Sequence, residues 1–227
     1  MELAAYKDLC IDAHDEARME RFWGAALGLA PHIDSDGDTH LSGPTPGHTV
    51  WVNRVPEPRT VKQRMHLDIE AGSVQEILDL GATVLDADSF RWTVLADPEG
   101  GELCVFVREG LAQPRLYEIV ADTGDAADAP GRIARWWAEV LGASVVDDGR
   151  GFSYVEQIPG APFESLSFVP VPEPKSVKNR IHLDVTAPHV AALVAFGATV
   201  LRDSDAGTPW TVLADPDGNE FCAFGPA

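Results

Sequence analysis

Basic residues are scarce: 17 Lys and Arg stand against 36 Asp and Glu, a formal charge of −19. A field of that sign repels phosphate backbones and anionic lipid, which argues against nucleic acid and membrane surfaces as partners. The acids are scattered rather than blocked, so a solvated surface explains most of them. Cysteine is sparse too. Cys10, Cys104 and Cys222 cannot pair completely and none sits in a CxxC arrangement, which fits free thiols in a reducing compartment. No apolar run is long enough for a spanning helix, and the opening MELAAYKDLCIDAHDE has no basic stretch followed by an apolar core, so a cytoplasmic location is expected. P-loop, GxGxxG and GxSxG signatures are missing as well. NTPase, dinucleotide-binding and hydrolase readings therefore lack support.

The dominant feature present is an internal repeat. PEPRTVKQRMHLD at 56–68 recurs as PEPKSVKNRIHLD at 172–184, and GATVL at 81–85 recurs at 197–201. WTVLADP at 92–98 returns unchanged at 210–216, and GELCVF at 101–106 is answered by NEFCAF at 219–224. Order is kept and the offset stays at 116 to 118 residues, so the chain reads as a tandem duplication. FWGAALGL at 22–29 and WWAEVLGA at 136–143 extend the likeness upstream. The Gly- and Pro-bearing stretch 109–115 is the expected boundary, giving one module over 1–110 and a second over 114–227.

Each unit reads as β-α-β-β-β twice over. A first strand (KDLCIDA, YEIVADT) leads into a helix, which in unit one covers about 16–27 with Met19, Phe22, Trp23, Ala26 and Leu27 on one face. Gly28 and Gly142 close the two helices as C′ residues. Three short strands follow, around 29–34, 38–43 and 49–55, and around 143–147, 151–157 and 164–171. The HLD strand, a short helix, two more strands, a DPxG turn and a last strand complete the unit. Helices are too few for a doubly wound sheet, so the fold class is α+β.

Taken together, the FW..ALGL helix, the R-x-HLD strand and the WTVLADPxGxExC ending resemble the vicinal-oxygen-chelate superfamily of glyoxalases, bleomycin-resistance proteins and extradiol dioxygenases. They are most similar to a glyoxalase-like branch common in actinobacteria. The resemblance implies paired βαβββ motifs, each module forming a half-open curved sheet of the glyoxalase/bleomycin resistance/dihydroxybiphenyl dioxygenase kind. It also implies a concave face that takes a metal or an organic ligand. Some members of the superfamily are lyases, isomerases or dioxygenases and others only sequester an antibiotic, so fold does not choose function.

Metal-using members place a His on the first strand, a His at the start of the fifth and a Glu on the last. Here His66 and His182 match the fifth-strand position. Seven residues beyond Asp97 and Asp215, where the Glu is expected, stand Cys104 and Cys222. The first-strand position falls on Asp8 and Glu118. With that triad degenerate, no cofactor is expected and the function implied is binding of an aromatic metabolite or antibiotic. The alternative is a Zn, Fe or Mn ion held by His66 with Asp8 and by His182 with Glu118, serving a lyase, isomerase or dioxygenase.

Strand alternation puts His66 with Asp68, and His182 with Asp184, on one face. On the first strand Asp8, Cys10 and Asp12 share a face, as do Glu102, Cys104 and Phe106 on the last. Two readings of HLD stand: a structural hydrogen-bond network, or a ligand-polarising or metal-binding group. Cys104 and Cys222 are either small buried strand residues or reactive thiols. Lys62, Arg64, Lys178 and Arg180 form either an anion clamp or ties to the acids of the opposite module. Trp92 and Trp210 begin a strand and are candidates to line the pocket, whereas Trp23 and Trp137 lie on the amphipathic helix. Because the two modules are already joined, a monomer paired within one chain is expected, with a homodimer as the other possibility.

Overall fold

The computed structural model describes residues 2–35, 37–111, 113–147 and 149–226. Ala112, inside the expected boundary, lies outside the described residues. The first half runs β1 (Ala5–Ala13), α1 (Glu16–Leu27), β2 (Ala30–Ile33), β3 (Thr39–Ser42), β4 (Val50–Arg54) and β5 (Met65–Ala71). It continues through α2 (Val74–Asp79), β6 (Thr83–Asp86), β7 (Thr93–Ala96) and β8 (Glu102–Val107). The second half repeats the order: β9 (Leu116–Thr123), α3 (Ala129–Leu141), β10 (Ser144–Asp147), β11 (Ser153–Glu156) and β12 (Ser165–Pro170). Then come β13 (Ile181–Thr186), α4 (Val190–Ala195), β14 (Thr199–Arg202), β15 (Trp210–Ala214) and β16 (Glu220–Phe224).

Local chemistry sets these boundaries. Asp15 caps α1 by accepting from the Arg18 N–H at 3.1 Å. Gly28 and Gly142 end α1 and α3 at φ of 70° and 64°, a left-handed conformation in which a Cβ is costly. At each DPxG turn one aspartate closes the chain on itself: Asp97 Oδ1 accepts from the Glu99 and Gly101 N–H groups, and Asp215 Oδ1 from those of Asp217 and Asn219.

The strands form two curved eight-stranded sheets, ordered β14-β15-β16-β13-β1-β4-β3-β2 and β10-β11-β12-β9-β5-β8-β7-β6. Sequence unit and sheet do not coincide. β1 of the first half pairs with β13 of the second, and β9 of the second with β5 of the first, both antiparallel. Each sheet thus takes one βαβββ motif from each half. We call them the His182 sheet and the His66 sheet.

One apolar core joins both sheets and the helices, with Trp23, Leu67, Phe168, Leu183 and Phe221 in its deepest layer. Trp23 and Trp137 are buried beneath the sheets as their helix positions predict, and Trp137 donates its indole N–H to Asp215 at 3.1 Å. Among the described residues, no helix is long and apolar enough to cross a membrane.

The halves are also tied by a pseudo-symmetric seam. Lys62 pairs with Asp122 and Lys178 with Asp12. Arg64 donates to the Glu173 carbonyl, and Arg180 donates to the Glu57 carbonyl at 2.8 Å and pairs with Glu99 at 3.3 Å. Guanidinium forks suit this role because several donors diverge from one plane.

Candidate functional site

The concave face of the His182 sheet collects its polar groups by register. Across β1 and β13, Cys10 faces His182 and Asp8 faces Asp184, and across β13 and β16, Asp184 faces Cys222. His182 Nε2 lies 3.5 Å from Cys222 Sγ and 3.5 Å from Asp184 Oδ1. From β4, Trp51 donates to Asp8 at 3.2 Å and the Asn53 amide donates to Cys10 Sγ at 2.9 Å. A bulge at Lys7 breaks the alternation of β1, so its ammonium reaches both Asp8 and the face of Phe224, 4.4 Å from the ring centre. Trp210 stacks on Phe224 at 5.2 Å. These groups surround a cavity of about 290 Å³ that includes Trp51, Trp210, Phe224, His182, Asp184 and Cys222 in its lining.

Burial decides the protonation states there. It lowers the His182 imidazole to about 4, so the ring is neutral at pH 7. Burial, with Asp8 alongside, raises Asp184 to about 8, which keeps that carboxyl protonated at pH 7. Burial and Asp184 push the Cys222 and Cys10 thiols up, so neither is a thiolate. The buried Asp8 Oδ1, His182 Nδ1 and Asp184 Oδ1 have no hydrogen-bond partner, an arrangement that costs free energy unless something else meets them.

The His66 sheet repeats this plan with changed side chains. Asp68 faces Cys104 and Glu118, and His66 Nε2 lies 3.4 Å from Asp68 Oδ1. Burial lowers His66 to about 4, and burial followed by Glu118 raises Asp68 to about 8. Val120 stands opposite His66 where Cys10 stands opposite His182. Tyr117 takes the bulged position of Lys7. It completes an aromatic ladder, Phe90–Trp92–Phe106–Tyr117, with ring centres 5.0, 5.2 and 5.2 Å apart. The Arg108 guanidinium lies over Phe106 and Tyr117.

The structure therefore brings together most residues read from the sequence, in two separate groups: His66, Asp68, Cys104 and Trp92, and His182, Asp184, Cys222 and Trp210. The cross-pairings of His66 with Asp8 and His182 with Glu118 do not occur. Exchange of motifs between sheets sets Asp8 beside the His182 strand and Glu118 beside the His66 strand. Arg64 and Arg180 line a different groove, of about 330 Å³, between the two proline loops, and neither lines the His182 cavity. Lys7, Trp51, Asn53 and Phe224 were not singled out from sequence. Alternation of VWVNR would have paired Trp51 with Asn53, but not told which sheet received them.

The donors around His182 fit a divalent metal ion. Zinc bonds of about 2.0–2.3 Å put tetrahedral ligand atoms about 3.3–3.8 Å apart. That matches the 3.5 Å spacings about His182 Nε2, and the unpartnered Asp184 Oδ1 offers a lone pair. His66, Asp68 and Cys104 likewise bring one donor atom each within 4.8 Å of one another.

Comparison with known proteins agrees with this geometry. A glyoxalase-like domain profile matches residues 8–106 and again 118–224. No curated protein matches the sequence. Among solved structures, glyoxalase I from Zea mays superposes with a TM-score of 0.68 at 14% identity, covering 97% of this chain and 92% of that one. A putative dioxygenase from Bacillus subtilis subsp. subtilis str. 168 superposes with a TM-score of 0.63 at 13% identity, covering 99% and 86%. At such identities the likeness speaks for the fold. With the profile matched over most of the chain, the protein belongs to the glyoxalase-like domain family, whose domain it carries twice.

Proposed function

We propose that the protein binds one small, largely planar organic molecule in the cavity over His182, and that the His66 cup, under its longer aromatic ladder, does not bind it. The observation that carries this reading is the cavity itself: about 290 Å³, walled by Trp51, Trp210 and Phe224. Two buried polar atoms of its lining residues, His182 Nδ1 and Asp184 Oδ1, are unpartnered. Apolar walls with a few convergent polar groups are the usual make-up of a ligand pocket, and this volume suits a molecule of one or two rings. The protonated Asp184 carboxyl supplies a donor for a ligand oxygen, and neutral His182 can donate or accept beside it. Trp210 and Phe224 offer faces for stacking.

A second reading is favoured by the donor spacing. His182, Asp184 and Cys222 would hold a divalent ion such as Zn²⁺, which when bound polarises a ligand oxygen as a Lewis acid. In that case the aromatic walls still orient the molecule and keep water from it.

A thermal-shift screen of aromatic metabolites and antibiotics tests the binding proposal, since a ligand for the native state raises apparent stability by mass action. At least one compound is expected to raise Tm in the parent chain and to lose that effect in both His182→Ala and Trp210→Ala. A screen without any shift defeats the proposal. Elemental analysis of protein purified without chelator separates the readings: a stoichiometric metal lost in His182→Ala supports the second.

A further inference from the structure

Outside both cups, the β2–β3 hairpin carries a side-chain cluster that the proposed binding function does not use. His32 on β2 and His40 on β3 are register partners, and their rings lie 5.0 Å apart. Asp34 follows the end of β2 and turns back across the hairpin, which is closed by its N–H donating to the Asp38 carbonyl at 2.8 Å. The two carboxylate oxygens divide between the imidazoles. Oδ1 is 3.6 Å from His32 Nε2, and Oδ2 is 3.5 Å from His40 Nδ1. Both contacts are longer than an ordinary imidazole–carboxylate hydrogen bond. The His40 side chain is 11% exposed, and its Nδ1 has no hydrogen-bond partner although it lies 3.5 Å from Asp34.

We infer that His32, Asp34 and His40 form a divalent-metal site, distinct from the cups, that takes Zn²⁺, Ni²⁺ or Cu²⁺. The three donor atoms lie within 4.8 Å of one another. Ligand atoms around such an ion stand about 3–3.5 Å apart, so side-chain movements of under about 1 Å close the site without shifting the backbone. Two imidazoles and one carboxylate suit the borderline transition ions, whereas Mg²⁺ and Ca²⁺ prefer all-oxygen shells. His40 is preset by packing on Trp51, 4.7 Å between ring centres, and His32 is 57% exposed, which leaves a solvent path to the ion and room for water ligands. The strongly acidic surface favours cation approach. The second half has no such pair: the corresponding β10–β11 partners are Val146 and Tyr154. The cluster therefore belongs to this hairpin and is not a by-product of the duplicated framework.

The test is Zn²⁺ titration by calorimetry on the chelator-stripped full chain carrying His66→Ala and His182→Ala, which removes the central donor of each cup. One equivalent of Zn²⁺ is expected to bind. Adding His32→Ala should weaken binding by at least about tenfold, as should adding Asp34→Asn. Both positions are exposed enough to be replaced without unfolding the chain. Ni²⁺ or Cu²⁺ should quench the fluorescence of Trp51, and Trp51→Phe should remove that part of the signal. Absence of binding in the doubly substituted chain, or binding indifferent to His32→Ala and Asp34→Asn, overturns the site. Either result leaves the ligand proposal for the His182 cavity to its own test.

Discussion

The two cups share a floor and differ in their walls. Both set a His and an Asp on the fifth strand of the repeat with a Cys beside them, and burial drives both imidazoles down to about 4 and both Asp carboxyls up to about 8. Around the His66 floor stand Tyr117, Val120 and a ladder that extends to Phe90. Around the His182 floor stand Lys7, Cys10 and Trp51, with the aromatic stack reduced to Trp210 and Phe224. Duplication preserved the electrostatically costly floor twice while the walls diverged. Over the His182 floor, beside the lysine and the single ring pair, lies a cavity of about 290 Å³.

The first way to break this contrast is through stability. Trp92 stacks on both Phe90 and Phe106, whereas Trp210 stacks on Phe224 alone. Trp92→Ala is expected to cost about 3 kcal/mol and Trp210→Ala about 2 kcal/mol, since each stacked pair adds about 0.5–1.5 kcal/mol beyond area burial. Urea denaturation of the two variants measures the difference. Equal losses would mean the longer ladder adds no stability.

A second prediction concerns what the floors share. Asp68 and Asp184 titrate near 8 in the folded chain and near 3.8 when unfolded, so the native state holds the extra protons between those values. Stability from these groups is complete below the unfolded pKa and is lost as pH rises through the folded one. His66 and His182 act with the opposite sign, but only from about 4 to 6.5. Between pH 6.5 and 8 the two histidines contribute nothing and Asp97 and Asp215, raised only to about 6, add little, so Asp68 and Asp184 dominate and stability should fall by up to about 2 kcal/mol for each. Denaturation of chelator-treated protein across that interval should show the fall. Asp68→Asn and Asp184→Asn should each remove about half of it. A flat or rising profile would show that these carboxyls are ionised in the native state.

Converting one wall into the other gives the third and smallest effect. Lys7→Tyr combined with Cys10→Val gives the His182 cup the residues of its counterpart. Binding of a compound identified by thermal shift should weaken about tenfold, or about 1.4 kcal/mol. The reciprocal change, Tyr117→Lys with Val120→Cys, should leave that affinity unchanged.

Much of this was legible in the residues. The amphipathic pattern of 16–27 matches α1, and the repeat matches the two-fold order of motifs. Alternation in HLD correctly set each His and Asp on one face, because a strand's side-chain period is fixed by its backbone. Partner choice was not legible. Alternation says which face a residue occupies and nothing about which strand lies alongside, so the exchange that joins β1 to β13 was hidden, and Asp8 was assigned to the wrong histidine. The bulges at Lys7 and Tyr117 were hidden for a related reason, since one extra residue reverses the expected face locally. Phe90 sits between strands, where no periodic signal exists. Sequence leaves the basic residues of the two proline loops open to a clamp or a tie; the fold sets Arg64 and Arg180 on the opposing loop carbonyls.

Of the two cups, only the His182 one is proposed to bind a ligand. Calorimetric titration of a thermal-shift hit into the parent chain, His182→Ala and His66→Ala addresses it directly. One molecule bound per chain, loss of binding in His182→Ala and unchanged binding in His66→Ala are expected. Two molecules per chain, or loss of binding in His66→Ala with retention in His182→Ala, would contradict it.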